Sequence, residues 1–165
     1  MDIHHHLIPD FYVSALKQHG VQALHGAGFP KWSQGQSLEL MDRYGIAAAI
    51  PSISSPGVYR GDAALATALV RECNEYAARM VADHPTRFGF FATLPLPAVE
   101  PAVKEAVYAL DTLKSDGICL LASSGEQFLG DPDLEELMAE LNRRKAVVFV
   151  HPNIHPSSTT LKLVR

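Results

Sequence analysis

Five short apolar segments, each separated from the next by an amphipathic stretch, set what this chain can fold into. They are predicted as strands at about residues 1–6, Ile46–Ile53, Phe88–Leu94, Gly117–Ala122 and Ala146–Val150. Ile46–Ile53 is almost continuously apolar, broken only by Pro51 and Ser52, which suits a strand buried on both faces. Helices are predicted between them. Asp10 caps one running to His19, and Ser37 caps a short one through Tyr44 that Gly45 ends. The intervening residues 20–36 are glycine-rich and form an ordered loop with Pro30 and Trp32. From Asp62 to about His84 the apolar residues Leu65, Leu69, Val70, Cys73, Tyr76, Ala77 and Met80 recur at helical spacing, and Pro85 stops the helix. Pro101 opens a helix to about Leu113 with Val103, Val107 and Leu110 on one face, and Asp133–Arg143 is the last.

Strand starts about 30–40 residues apart with a helix between each pair predict right-handed βαβ units and a parallel sheet. An open doubly wound sheet and a (β/α)₈ barrel both fit that order. No Gly-x-Gly-x-x-Gly follows a strand and no Gly-Lys-Ser/Thr loop is present, so a nucleotide-binding sheet loses its main support. The histidines decide between the two. His4 and His6 close the first strand and His151 closes the fifth, where a barrel carries its active site. The expected fold is therefore α/β, an incomplete TIM barrel of about five of the eight strand–helix units, with residues 1–165 forming one domain.

Residues two apart in a strand share a side and sit roughly 6.5 Å apart, so His4 and His6 aim at one point while His5 faces away. Two converging neutral imidazoles are half of a divalent-metal site. A purification-tag remnant would be longer and would not lead into Leu7-Ile8-Pro9-Asp10-Phe11-Tyr12, and a chance surface cluster would need no partner. His151 supplies that partner, ending the apolar run Val147-Val148-Phe149-Val150. Three protein ligands plus a water make the usual open zinc site. His155 is read as a surface or pocket-rim residue, and solvent exposure accounts for His19, His25 and His84 at helix ends or in loops.

Composition bounds the rest. A net charge of −4 without a basic run argues against nucleic acid, and no apolar run is long enough to span a membrane. No secretory signal is visible. The two cysteines, Cys73 and Cys119, belong to no Cys-x-x-Cys pair and are expected to be free thiols in a cytoplasmic protein.

Asp2-Ile3-His4-His5-His6-Leu7-Ile8-Pro9, Arg87-Phe88-Gly89-Phe90-Phe91-Ala92-Thr93-Leu94-Pro95, Ala109-Leu110-Asp111-Thr112-Leu113-Lys114-Ser115-Asp116-Gly117-Ile118 and Phe149-Val150-His151-Pro152 together resemble the amidohydrolase superfamily. Within it they resemble the aminocarboxymuconate semialdehyde decarboxylase-like branch, and most of all its fungal 6-methylsalicylate decarboxylase-like members. The resemblance implies His4, His6 and His151 as ligands of one divalent metal, zinc by preference with manganese as the alternative. Strand four, Ile118-Cys119-Leu120-Leu121-Ala122, lacks the lysine or glutamate of binuclear members, which favours one metal. The resemblance also implies a strand-six histidine and a strand-eight aspartate for proton transfer. Both fall beyond Arg165, so no catalytic residue is assigned within the chain and an N-terminal fragment is expected.

The expected activity is non-oxidative decarboxylation of an aromatic or unsaturated carboxylic acid, such as a salicylate-type secondary metabolite. The metal acts as template and Lewis acid. The family's carboxylate-binding arginine lies before strand two, and Trp32-Ser33-Gln34-Gly35-Gln36-Ser37 contains none, so the substrate is expected to differ from a dicarboxylate. Two alternatives stay open: hydrolysis of a lactone or amide on the same site, and an inactive truncated paralogue acting as a binding partner. A homodimer of the full-length protein is compatible with either enzyme reading.

Overall fold

The computed structural model describes residues 1–23, 28–153, 155 and 157, so the expectation for His25 lies outside the described residues. The element order is β1 (Asp2–His6), α1 (Asp10–Gln18), α2 (Gln34–Arg43), β2 (Ala49–Ser52), α3 (Ala63–Asp83), β3 (Phe91–Thr93), α4 (Val99–Asp111), β4 (Gly117–Leu121), β5 (Ser123–Ser124), β6 (Gln127–Phe128), α5 (Glu135–Arg144) and β7 (Val148–His151). A 3-10 turn, Pro132–Leu134, leads into α5.

Five of these strands run parallel in the order β1-β2-β3-β4-β7. β1 pairs with β2 through His5↔Pro51 and His6↔Ser52. β2 meets the start of the next unit at Ala49↔Phe88, where Ala49 N–H donates to Arg87 O at 2.9 Å and Gly89 N–H to Ala49 O at 3.0 Å. β3 pairs with β4, and β4 with β7, ending at Leu121↔His151. Helices cross between successive strands, so the described residues form consecutive strand–helix units of a TIM barrel. Strand spacing proves the curl. In a flat sheet β1 and β7 would stand four spacings apart, roughly 19 Å. Yet His6 Nε2 and His151 Nε2 are 3.2 Å apart.

Three of the predicted strands start later than their apolar runs, for one repeated reason. Before the ladder starts, the chain satisfies the last carbonyls of the preceding helix: Ile46 N–H donates to Met41 O, Phe88 N–H to His84 O and Ala146 N–H to Leu141 O. Helix starts also differ from expectation in two places. Ser33, not Ser37, caps α2, its hydroxyl accepting from Gln36 N–H at 3.2 Å, while Ser37 lies inside the helix. Pro9 holds the cap position of α1, and Asp10 is its first-turn acid. Asp62, where the helical pattern was read to begin, caps α3, accepting from Ala64 and Leu65 N–H.

Packing corrects two helix faces. Leu65, placed on the apolar stripe of α3, is 50% exposed, because the buried stripe runs through Ala66, Val70, Cys73, Ala77 and Met80. On α4 the buried seam is Ala102, Glu105, Ala106 and Ala109, with Val103, Val107 and Leu110 only partly covered. The small residues let α4 approach closely, and they leave room for a buried carboxylate. Glu105 accepts from Arg71 Nη2 at 2.7 Å and from Asn74 Nδ2 at 2.8 Å. Asn74 in turn brackets Thr93, donating to its carbonyl at 3.0 Å and accepting from its N–H at 2.9 Å. This network ties α3 and α4 to the end of β3. Gly117 is required where β4 starts: a Cβ there would lie 2.5 Å from Val147 O and 3.1 Å from Phe91 Cδ1. The β5–β6 hairpin, too short and polar to show apolar alternation, was not anticipated.

Candidate metal centre

Strand alternation puts His4 and His6 on the inner face of the arc and His5 on the outer. His5 is buried against α2: its Nδ1 lies 3.1 Å from Asp2 Oδ2 and its Nε2 3.0 Å from Ser37 Oγ. A carboxylate can only accept, so Nδ1 carries the proton and Nε2 takes the serine hydroxyl's. Asp2 also accepts from His4 N–H at 3.0 Å, which fixes the start of the histidine run.

On the inner face the three predicted ligands meet. Their nitrogen atoms all lie within 4.8 Å of one another. The rings are 5.1 Å (His4–His6), 4.8 Å (His4–His151) and 5.2 Å (His6–His151) apart between centroids. The 3.2 Å between His6 Nε2 and His151 Nε2 is close to the roughly 3.3 Å that two ligands keep on a tetrahedral ion with bonds of about 2.0–2.1 Å. His151 Nδ1 lies 2.7 Å from Pro152 O, an atom that only accepts, so Nδ1 is the N–H and the Nε2 lone pair points at the cluster. Burial, and then the neighbouring His151 and His4, hold His6 below its ordinary pKa, and burial does the same for His151. Both rings are thus held in the neutral form that binds metal. His4 and His6 are open to solvent, while His151 is buried. Phe149 packs under His4 at 5.5 Å and stacks on Phe91 at 5.6 Å, giving the cluster an apolar floor.

A cavity of about 390 Å³ lies at the same C-terminal ends of the strands. Register places Thr93, Cys119 and Leu121 on the inner face with His151, and all three line it. Its rim is the loop after β2, where Gly57 is held at φ +74° against Leu121 and Arg60 follows. Asn153 joins the loops after β2 and β4, accepting from Ser55 Oγ and donating to Ser123 O, each at 2.8 Å. Cys119 Sγ, 3.8 Å from Ile53 O, is pushed up to a pKa of about 11 by burial. Neither cysteine is disulfide-bonded.

His155 stays at the rim, stacked on Phe128 at 4.1 Å and bonded to Glu126 O. His19 and His84 sit at the C-caps of α1 and α3. Arg60, Thr93 and Asn153 were not singled out from sequence, and Cys119 was read only as a free thiol. The one signal available for Arg60 was its place directly after the second strand, since loops at that end of a barrel carry function.

The model of the amidohydrolase family matches residues 1–163. The decarboxylase yanB of Aspergillus niger is 45% identical over 158 residues, 92% of this chain and 43% of that protein. The 6-methylsalicylic acid decarboxylase acuB of Aspergillus aculeatus is 38% identical over 165 residues, 98% of this chain and 49% of that protein. A crystallised amidohydrolase II superposes with a TM-score of 0.89 at 36% identity, covering 92% of this chain and 50% of its own. A 5-carboxyvanillate decarboxylase from Novosphingobium aromaticivorans, crystallised with manganese and a nitrobenzoic acid, shares the fold at TM-score 0.83 and 20% identity, covering 97% of this chain and 52% of its own. The chain spans about half the length of the curated relatives it matches. By its fold, its histidine run and a family match from Met1 to Leu163, the chain belongs to the amidohydrolase family.

Proposed function

We propose that the protein carrying this chain is a metal-dependent, non-oxidative decarboxylase of an aromatic carboxylic acid. The observation that carries this reading is the convergence of His4, His6 and His151, with the His151 tautomer fixed by Pro152, beside an inner-face cavity. Relatives whose names specify decarboxylation of 6-methylsalicylic acid support the substrate class. We assign His4, His6 and His151 as the ligands of one divalent ion, zinc first. The manganese of the related carboxyvanillate enzyme makes manganese the competitor.

When bound, the ion supplies Lewis acidity and a template for the substrate carboxylate and a neighbouring oxygen. The chain's own residues do the rest. Pro152 O keeps the His151 Nε2 lone pair directed inward, and Phe91 and Phe149 exclude water beneath the cluster. Leu94, Leu96 and Leu121 give the aromatic ring an apolar wall. In the reaction the bond from ring carbon to carboxylate breaks, carbon dioxide leaves, and the ring carbon takes a proton. We assign that proton transfer to the strand-six histidine and strand-eight aspartate expected outside these 165 residues. No helix among the described residues is long and apolar enough to cross a membrane. A cytoplasmic enzyme of secondary metabolism is the setting we propose.

The test is a product assay on the full-length protein loaded with zinc or manganese. Salicylate, 6-methylsalicylate and 2,6-dihydroxybenzoate are offered, and carbon dioxide and the phenol are measured. Metal-dependent release of both supports the reading. Hydrolysis of a lactone or amide, with no carbon dioxide from any acid, rejects it.

A further inference from the structure

The cavity holds a positive charge that no acidic group answers. Arg60 lines it, half-buried, and among the described residues no carboxylate pairs with it. Its terminal nitrogens donate only to backbone carbonyls: Nη1 to Tyr59 O, and Nη2 to Pro56 O at 2.9 Å with Gly57 O at 3.5 Å. These contacts pin the guanidinium without neutralising it. Its Nε is buried with no acceptor. Two further polar atoms around the same cavity share that condition, Thr93 Oγ1 and Ser123 Oγ.

Three unanswered polar groups round one cavity are unusual, because a buried donor without a partner loses its water and gains no bond in return. They are held firmly. Asn74 brackets the Thr93 backbone, Asn153 accepts from Ser55 and grips Ser123 O, and Tyr12 Oη donates to Gly57 O at 2.9 Å, fixing the loop that carries Arg60. A rigid cation in a cavity also lined by two hydroxyls and several leucines fits an anion attached to an apolar ring.

We propose that Arg60 is the anion-binding residue of this cavity, receiving a carboxylate oxygen of the aromatic acid, with Thr93 and Ser123 as accessory hydrogen-bonding groups. This rests on the decarboxylase reading above for the identity of the acid.

The test separates Arg60 from the metal by measuring binding to the metal-stripped full-length protein by calorimetry. The probes are salicylate and its neutral isostere salicylamide. The unaltered protein is expected to bind salicylate about tenfold or more tighter than salicylamide, the scale of one charge-assisted hydrogen bond. Arg60→Gln should abolish that preference with salicylamide binding unchanged, and Arg60→Lys should restore part of it. With metal present, Arg60→Gln should raise KM for the acid more than it lowers kcat. A salicylate preference that survives in Arg60→Gln, or no preference in the unaltered protein, overturns the proposal. If Arg60→Gln does not fold, Arg60→Lys decides alone: an undiminished preference overturns the proposal and a reduced one supports it. The decarboxylase reading fails separately, when the metal-loaded protein releases no carbon dioxide while the Arg60-dependent preference persists.

Discussion

His6 and His151 are separated by 145 positions in the chain and by the full width of the five-strand arc, yet their Nε2 atoms lie 3.2 Å apart. His151 spends its one ring proton on Pro152 O, so its Nε2 presents a lone pair to that gap. The ligand assignment proposed above puts the His6 proton on Nδ1, so that one metal ion would take both Nε2 lone pairs at once. His4→Ala, His6→Ala and His151→Ala should therefore each lower metal affinity at least about 100-fold, beyond the 10–100-fold typical of groups that only support a ligand. Metal analysis of the purified full-length variants after dialysis checks this. Retention of a full equivalent by any of the three would remove that residue from the ligand set.

His5 should behave in the opposite way. It lies between two ligands in sequence, but its ring bonds Asp2 and Ser37 on the outer face. His5→Ala leaves metal content intact and lowers stability by about 1–3 kcal/mol, the cost of leaving buried hydrogen-bonding groups unpaired. Chemical denaturation alongside metal analysis gives both readings from one preparation. Metal loss equal to that of His4→Ala would mean that strand alternation does not separate the three histidines.

That separation was legible before any coordinates, because the two-residue period of a strand is fixed by backbone geometry. The barrel was legible for a related reason: only a curled sheet brings the ends of strands one and five together. Helix starts were less so. Ser33 and Ser37 are both good capping residues, and the choice fell to Ser33 because Ser37 is drawn into the helix by its bond to His5, a contact 32 positions away. The Arg60 cavity was invisible because its walls draw on loops after four different strands, β2, β3, β4 and β7, and a loop's convergence leaves no periodic trace. The buried seam of α4 was misread because alanines, not the larger valines, face the neighbours when backbones pack closely.

The Asn74–Glu105 pair carries a load that its polarity hides. Glu105 is 1% exposed and is matched by Arg71 and Asn74, while Asn74 also holds Thr93 at both backbone atoms. Asn74→Ala should cost about 2–4 kcal/mol, since it strands a buried carboxylate oxygen and two backbone groups together. Urea unfolding measures it. Because Thr93 lines the cavity, the same variant should weaken salicylate binding while leaving metal content unchanged. A loss of metal instead would place the network under the histidines and not under the cavity wall.

Cys73 and Cys119 test the burial of the inner and outer layers with one reagent. Both are buried free thiols, Cys73 within α3 and Cys119 on the cavity wall. Burial raises both, Cys119 to about 11, so at pH 8 only about one molecule in a thousand carries its thiolate, against roughly a quarter for an ordinary cysteine. Iodoacetamide should therefore leave both unmodified in the folded protein over minutes and label two thiols at once in denaturant without reductant. Mass analysis distinguishes the two sites. Slow labelling under native conditions should favour Cys119, which shares the cavity with Arg60, and salicylate should slow it further while Cys73 is unaffected. Equal protection of both thiols by salicylate would mean that the ligand acts by stabilising the whole fold and not by filling this cavity. A mass two hydrogens short of the free-thiol value would show a disulfide, which the placement of Cys73 and Cys119 in separate buried settings forbids.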